Sequence, residues 1–288
     1  MTQPLYQQTP LAIGGVGGSG TRLVANLVAQ SGCYLGDTLN EATDNLWFTV
    51  LLRRSEWFCK FPTEPAINIA VDLFQQAMTT GLAKGCSPMQ SQLLDHIEAD
   101  LAGRDDPDAL MLTPPLASLR ISAGSDSARA PRWGWKEPNT HILLPQLAAR
   151  IQGLKYIHVI RNGLDMAFSA NQRQLTNWGS YILGPDHHDP DQSLPQRSLT
   201  YWLAANRRAT ELGQTLFKDR FLLLNYDHLC QDPDLVLPQL FSFLGSETGR
   251  AEARNLIAPK TIGRHQDHDL SLFSPAAIKA TQELMAMA

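Results

Sequence analysis

The sequence predicts an α/β fold, a mainly parallel central sheet flanked by helices, on two observations. Four short apolar runs, at residues 11–15, 132–137, 155–161 and 220–226, alternate with helical patterns, the order expected when parallel strands are joined by crossover helices. The first run passes through five glycines in seven residues, 14 to 20, straight into an apolar helical pattern. With 288 residues, 43% of them hydrophobic and 18% charged, the chain has a full core to bury, and residues 1–288 read as one domain.

The first element is "LAIGG", a strand, followed by the loop Gly17, Gly18, Ser19, Gly20 and a helix from Thr21. This layout is P-loop-like. The usual mononucleotide loop, G-x-x-x-x-G-K-[ST], wraps phosphates in backbone N–H groups, reaches the outer phosphates with Lys and holds Mg²⁺ with the hydroxyl. Here Thr21 stands at the Lys position and Arg22 at the hydroxyl position. The loop keeps an anion site, made of amides at a helix start, and lacks the equipment for metal-assisted use of ATP or GTP. A glycine-rich turn that binds nothing is the alternative on this segment alone.

A helical insertion, roughly residues 37–130, comes after this first βα unit. Its helical patterns lie at 40–61, 66–83 and 90–103, and it turns loose and polar over 120–131. Such an insertion either covers the top of the sheet and shapes a substrate pocket or is packing mass.

The strand "RWGWKE" ends on Lys136 and Glu137, and Pro138 turns the chain. A cation beside a carboxylate at a strand end suits group transfer: one stabilises developing negative charge and the other takes a proton. A surface ion pair gives the same sequence. The strand "KYIHVIR" puts Arg161 at its carboxyl end, where open α/β sheets bind ligands. Ser169, eight residues on, is expected roughly two turns, about 10 Å, into the following helix. The pair would close on one phosphate. Otherwise Arg161 pairs with Asp165 and Ser169 faces solvent. The segment 177–198, rich in Gly, Pro and Asp, reads as a lid or acceptor loop.

Bulk properties exclude other classes. A net charge of −4, from 24 basic and 28 acidic residues, gives no nucleic-acid footprint and no polybasic membrane patch. Cys33, Cys59, Cys86 and Cys230 form no C-x-x-C pair, which fits reduced thiols in a cytoplasmic protein. No apolar run reaches the length of a membrane span, and "MTQPLYQQTP" has no secretion signal. His187, His188, His265 and His268 lack a companion cluster at metal-ligand spacing, so no metal site is expected.

Jointly these segments resemble the sulfotransferases that use 3′-phosphoadenosine 5′-phosphosulfate (PAPS). "GGSGTR" is similar to the family's 5′-phosphosulfate loop, Arg161 and Ser169 to its grip on the 3′-phosphate, and "KEP" at 136–138 to its Lys-x-Pro motif. "LLLNYDHLCQDPDLVLPQLFSFLG" resembles a later family run in which Tyr226 falls on a nucleotide-contacting tyrosine. "TIGRHQ" places Arg264 where many bacterial members close over the nucleotide. The likeness spans residues 11–265, leaves the insertion unmatched, and implies metal-independent, in-line sulfuryl transfer to a hydroxyl or amine of a small-molecule or glycan acceptor.

The resemblance assigns donor binding to Gly17, Gly18, Ser19, Gly20, Thr21, Arg22, Arg161, Ser169, Tyr226 and Arg264. Catalysis falls to Lys136, Arg22 and a base, Glu137 first and His141 second. Members usually carry Lys or Arg where this chain has Gly18, so Arg22, Lys136 or Arg264 has to supply that charge. Two alternatives follow: a nucleotide-binding relative impaired in transfer, for which Gly18 argues, and a P-loop kinase, against which Thr21 and Arg22 argue. The acceptor and the oligomeric state are not legible.

Overall fold

The computed structural model describes residues 9–54, 65–124, 132–258 and 262–288. Residues 1–8, Cys59 with the end of the first insertion pattern, residues 125–131 of the loose stretch and Thr261 lie outside the described residues. Five parallel strands, β1 (Leu11–Gly15), β2 (Cys33–Tyr34), β3 (Arg132–Lys136), β4 (Lys155–Ile160) and β5 (Phe221–Asn225), form one sheet in the order β2-β3-β1-β4-β5. Four match the expected runs. β2, two residues long, is too short for any periodicity to mark.

Alternation along the strands sorts side chains onto two faces. Leu11, Ile13, Ile157 and Val159 pack against the helices Thr21–Gln30 and Pro233–Leu244, while Ala12, Tyr156 and Ile160 face the other layer. That second layer holds the long helix Leu194–Phe217 and the insertion. In the insertion, helix Pro65–Thr79 buries Ile67, Ala70, Val71, Phe74, Ala77 and Met78, the spacing of one helical face. Ser87 and Gln90 form a capping box that starts helix Pro88–Ala102. Phe48 stacks on Trp135 at a ring-centroid distance of 5.7 Å and Phe74 meets both edge-on at 5.2 Å, which seats these helices on β3.

Three sequence expectations change. Residues 40–45 form a turn, and helix begins at Leu46, because Asn45 caps it by accepting from the Phe48 amide. A further helix, Pro107–Arg120, runs through Pro114 and Pro115, residues that hide a helix from a pattern reading. The stretch 177–198 is mostly helix: Arg173–Leu183 and Leu194–Phe217 leave 184–193 as the connection.

A polar thread crosses the second layer. His158 bonds to the Tyr156 hydroxyl at 2.6 Å and to Asn206 Oδ1 at 2.8 Å, and His141 Nε2 lies 3.2 Å from Gln174 Oε1. Burial holds both imidazoles below their ordinary value, at about 3 for His141, with His158 adding to the effect, and about 4 for His158. Below about pH 6.5 the unfolded chain takes up protons that the folded chain refuses, so this stability is present above pH 6.5 and lost as pH falls. In urea unfolding between pH 6 and 5, His158→Gln is expected to flatten the pH slope by about one proton, about 1.4 kcal/mol per pH unit. An unchanged slope would mean that His158 charges freely in the folded state.

Candidate functional site

The carboxyl ends of the strands bring the predicted residues together. β1 ends at Gly15, β3 at Lys136, β4 leads into Arg161 and β5 into Tyr226, and the parallel register puts these ends along one edge of the sheet. Between Gly15 and Thr21 the loop turns tightly, with Ser19 N donating to Val16 O at 2.9 Å and with Gly18 and Gly20 at φ 95° and 92°. Only glycine adopts such angles without strain. The amides of Gly18, Gly20, Thr21 and Arg22 find no acceptor among the described residues. Ser19 Oγ is buried with no partner, an orphan polar atom inside the cradle.

Gly20 has a second reason to be glycine. A Cβ there would lie 2.0 Å from Cδ2 of Tyr226, whose ring covers the loop. We expect Gly20→Ala to destabilise the fold by about 1 to 3 kcal/mol through backbone strain and to push the ring off the loop. A thermal midpoint equal to the parent's would show that the ring is not fixed there.

Arg161 joins the loop to the other strand ends. It is buried, with Nη1 3.3 Å from Gly18 O and its guanidinium 5.2 Å from the Tyr226 ring centroid. Nη2 lies 3.7 Å from Asp165 Oδ2, the pairing that the sequence allowed as the alternative to phosphate binding. Asp165 is fully buried and accepts from the amides of Gly263 and His265, both at 2.9 Å, and from His265 Nδ1 at 2.6 Å. Burial raises its pKa, but these bonds outweigh it and hold the carboxyl below its usual value. The "IGRH" segment is thereby pinned beside Arg161, and Arg264, half-buried, has no hydrogen bond or ion pair among the described residues.

Ser169 does not sit two turns into a helix. The helix after β4 is Gly163–Ala167, five residues. Gln172 Nε2 ends it by donating to the Met166 and Ser169 carbonyls at 3.3 and 2.7 Å, and Phe168 stacks on His268 at 3.9 Å. Ser169 Oγ accepts from Asn171 N at 3.2 Å.

At the end of β3 the two predicted charges have separate surroundings. Lys136 is buried, and its ammonium donates to Ala42 O at 2.8 Å and to Asp44 Oδ1. Asn40 builds that turn: its Oδ1 accepts from Ala42 N and Asp44 N and its Nδ2 donates to Asp44 Oδ2, each at 2.9 Å. Glu137, also buried, accepts from Asn139 N at 2.6 Å and Asn139 Nδ2 at 2.8 Å, and Asn139 is fixed in turn by Trp178 Nε1 at 2.9 Å. Burial, with the Asp44 carboxylate adding to it, pushes Glu137 up to about 7 against the pull of Arg53 and Asn139.

His141 lies wholly inside the core, where it supports Gln174, whose Nε2 donates to Gly15 O at 3.3 Å. It holds the loop's entry strand, and its Nδ1 is buried with no partner among the described residues. Sequence reasoning did not single out Asp44 or Gln174, and it named Asp165 only as the alternative partner of Arg161. The signal for Asp44 was the acidic, asparagine-rich "NEATDN"; Gln174 carried none. Among the described residues no three His, Cys, Asp or Glu side chains group to hold a metal, and no helix is long and apolar enough to cross a membrane.

Residues 10–249 match the family described as the sulfotransferase family. No curated protein matches the chain. Solved structures similar to it include the sulfotransferase domain of the Synechococcus PCC 7002 olefin synthase, with 16% identity, 100% of this chain and 97% of that chain covered, and a TM-score of 0.45. The sulfotransferase domain of the curacin biosynthetic pathway gives 14% identity, 97% and 97% coverage and a TM-score of 0.45. A sulfotransferase from Mycobacterium avium gives 13%, 99% and 76%, and 0.45.

Proposed function

The chain belongs to the sulfotransferase family, and from that premise we propose that it moves a sulfuryl group from PAPS to a hydroxyl or amine by metal-independent, in-line transfer. The observation that carries this reading is the meeting of two anion grips. Arg161 Nη1 lies 3.3 Å from Gly18 O, so the guanidinium and the amide cradle share one wall. Open amides, the orphaned Ser19 hydroxyl and the positive-φ glycines fit a phosphosulfate, which needs donors and close backbone approach.

The donor supplies an activated sulfuryl group whose leaving oxygen gathers negative charge. Gly17, Gly18, Ser19, Gly20, Thr21 and Arg22 hold that end, Arg161 and Tyr226 hold the 3′-phosphate end, with Ser169 joining once its turn adjusts, and Arg264 closes over the nucleotide. Gly18 has no side chain to supply the loop's customary cation. Arg22 and Arg264 supply it in this reading, since neither side chain has a hydrogen bond or ion pair among the described residues, whereas the Lys136 ammonium is held by Asp44 and Ala42. Glu137, at about 7, takes the acceptor's proton, as a base does best near the working pH. A second reading gives that role to Asp44, favoured by its 19% exposed side chain against Lys136. The chain acts as one domain in the cytoplasm on this reading, with a small-molecule or glycan acceptor.

Calorimetry with 3′-phosphoadenosine 5′-phosphate is expected to give binding, and ATP with Mg²⁺ little or none; the reverse order would point to the kinase alternative. Labelled sulfate transfer separates an enzyme from an impaired nucleotide-binding relative.

A further inference from the structure

We propose that Arg53, Asp108 and Arg173 form the acceptor-reading face of the site, and that the acceptor is a polar, hydroxyl-rich molecule of the sugar or polyol class. This inference rests on the transfer reading above. The three side chains come from separate elements: the end of helix Leu46–Leu52, the first turn of Pro107–Arg120 and the start of Arg173–Leu183. Arg53 Nη2 and Arg173 Nη1 approach the two oxygens of Asp108 at 3.6 and 3.9 Å.

Those distances are too long for hydrogen bonds. Surface pairs elsewhere close up fully, at 2.8 Å for Arg120 with Asp95 and for Arg104 with Asp106. Arg53, Asp108 and Arg173 have no side-chain hydrogen bond among the described residues, so two guanidinium forks and a carboxylate converge with their capacity unspent.

The face lies against the transfer centre. Arg53 acts electrostatically on Glu137, and its helix begins at Asn45, whose amide donates to Lys136 O at 2.7 Å. Arg173 follows Asn171, whose Nδ2 is 3.6 Å from the position a Cβ would take on Gly17. Asp108 links the two, with one carboxylate oxygen toward each guanidinium. Planar donors and acceptors side by side match adjacent hydroxyls, which present both functions at close spacing.

Ligand-observed NMR of the donor-free chain with glucose, sucrose, myo-inositol, glucuronate, 4-nitrophenol and octan-1-ol tests this without turnover. At least one sugar or polyol should bind, and Asp108→Asn with Arg173→Gln should weaken it about tenfold or more. In PAPS turnover the same variants should raise acceptor KM by a like factor and leave kcat within about twofold. Affinity for 3′-phosphoadenosine 5′-phosphate should not change. Binding or turnover confined to the phenol or alkanol, or sugar binding indifferent to both substitutions, overturns the proposal. Loss of nucleotide binding in the parent chain would instead sink the donor reading, and the NMR arm would still decide this one.

Discussion

Glu137→Gln is expected to lower the sulfuryl-transfer rate by about 10²- to 10⁴-fold, the usual contribution of a positioned general base. Affinity for 3′-phosphoadenosine 5′-phosphate should stay within about twofold, because Glu137 belongs to the β3 end and touches neither the glycine loop nor Arg161. The sign of the pH dependence follows from burial. The carboxyl is raised to about 7, and only its ionised form accepts a proton. Wild-type kcat should therefore climb through about pH 7 and level off above it, and the residual rate of the variant should not bend there. Stability runs the other way. With the folded value above the unfolded value of about 4.3, this group's contribution is full below about pH 4.3 and is lost as pH rises through about 7. Near-normal turnover of Glu137→Gln, with loss in Asp44→Asn, would move the base to the carboxylate on Lys136.

Arg161→Ala should weaken 3′-phosphoadenosine 5′-phosphate binding by about 1.5 to 3 kcal/mol, the size of a charge-assisted hydrogen bond to a phosphate. The fold should survive, because Asp165 keeps its bonds from Gly263 N, His265 N and His265 Nδ1. AMP, which lacks the 3′-phosphate, serves as the control: its weaker affinity should barely respond to the substitution. Arg161→Lys should fall between, since it keeps the charge and loses the planar fork that stacks over Tyr226. Unchanged affinity in folded Arg161→Ala would remove the 3′-phosphate from this position.

Local chemistry makes much of this legible in the sequence. The run "LAIGGVGGSGTR" could be read because strand, glycine turn and helix start lie within a few residues of one another, and backbone preference acts at that range. Arg161 was legible for the same reason, as a charge ending an apolar strand. Ser169 was misplaced because the helix before it is stopped by the Gln172 side chain and by Phe168 stacking on His268, a contact across 100 residues. Asp44 was overlooked because its meaning depends on Lys136, 92 residues away.

Chain order is enough to specify the parallel α/β architecture, the glycine loop and the charged residues at the strand ends, since periodicity and glycine placement are properties of neighbours along the chain. Tertiary structure alone decided which charges are spent and which are open: Lys136 bound to the 40–44 turn, Asp165 tying the C-terminal segment to Arg161, His141 sealed in the core. Desolvation and pairing depend on what packs around a group in space, and chain order carries no record of that.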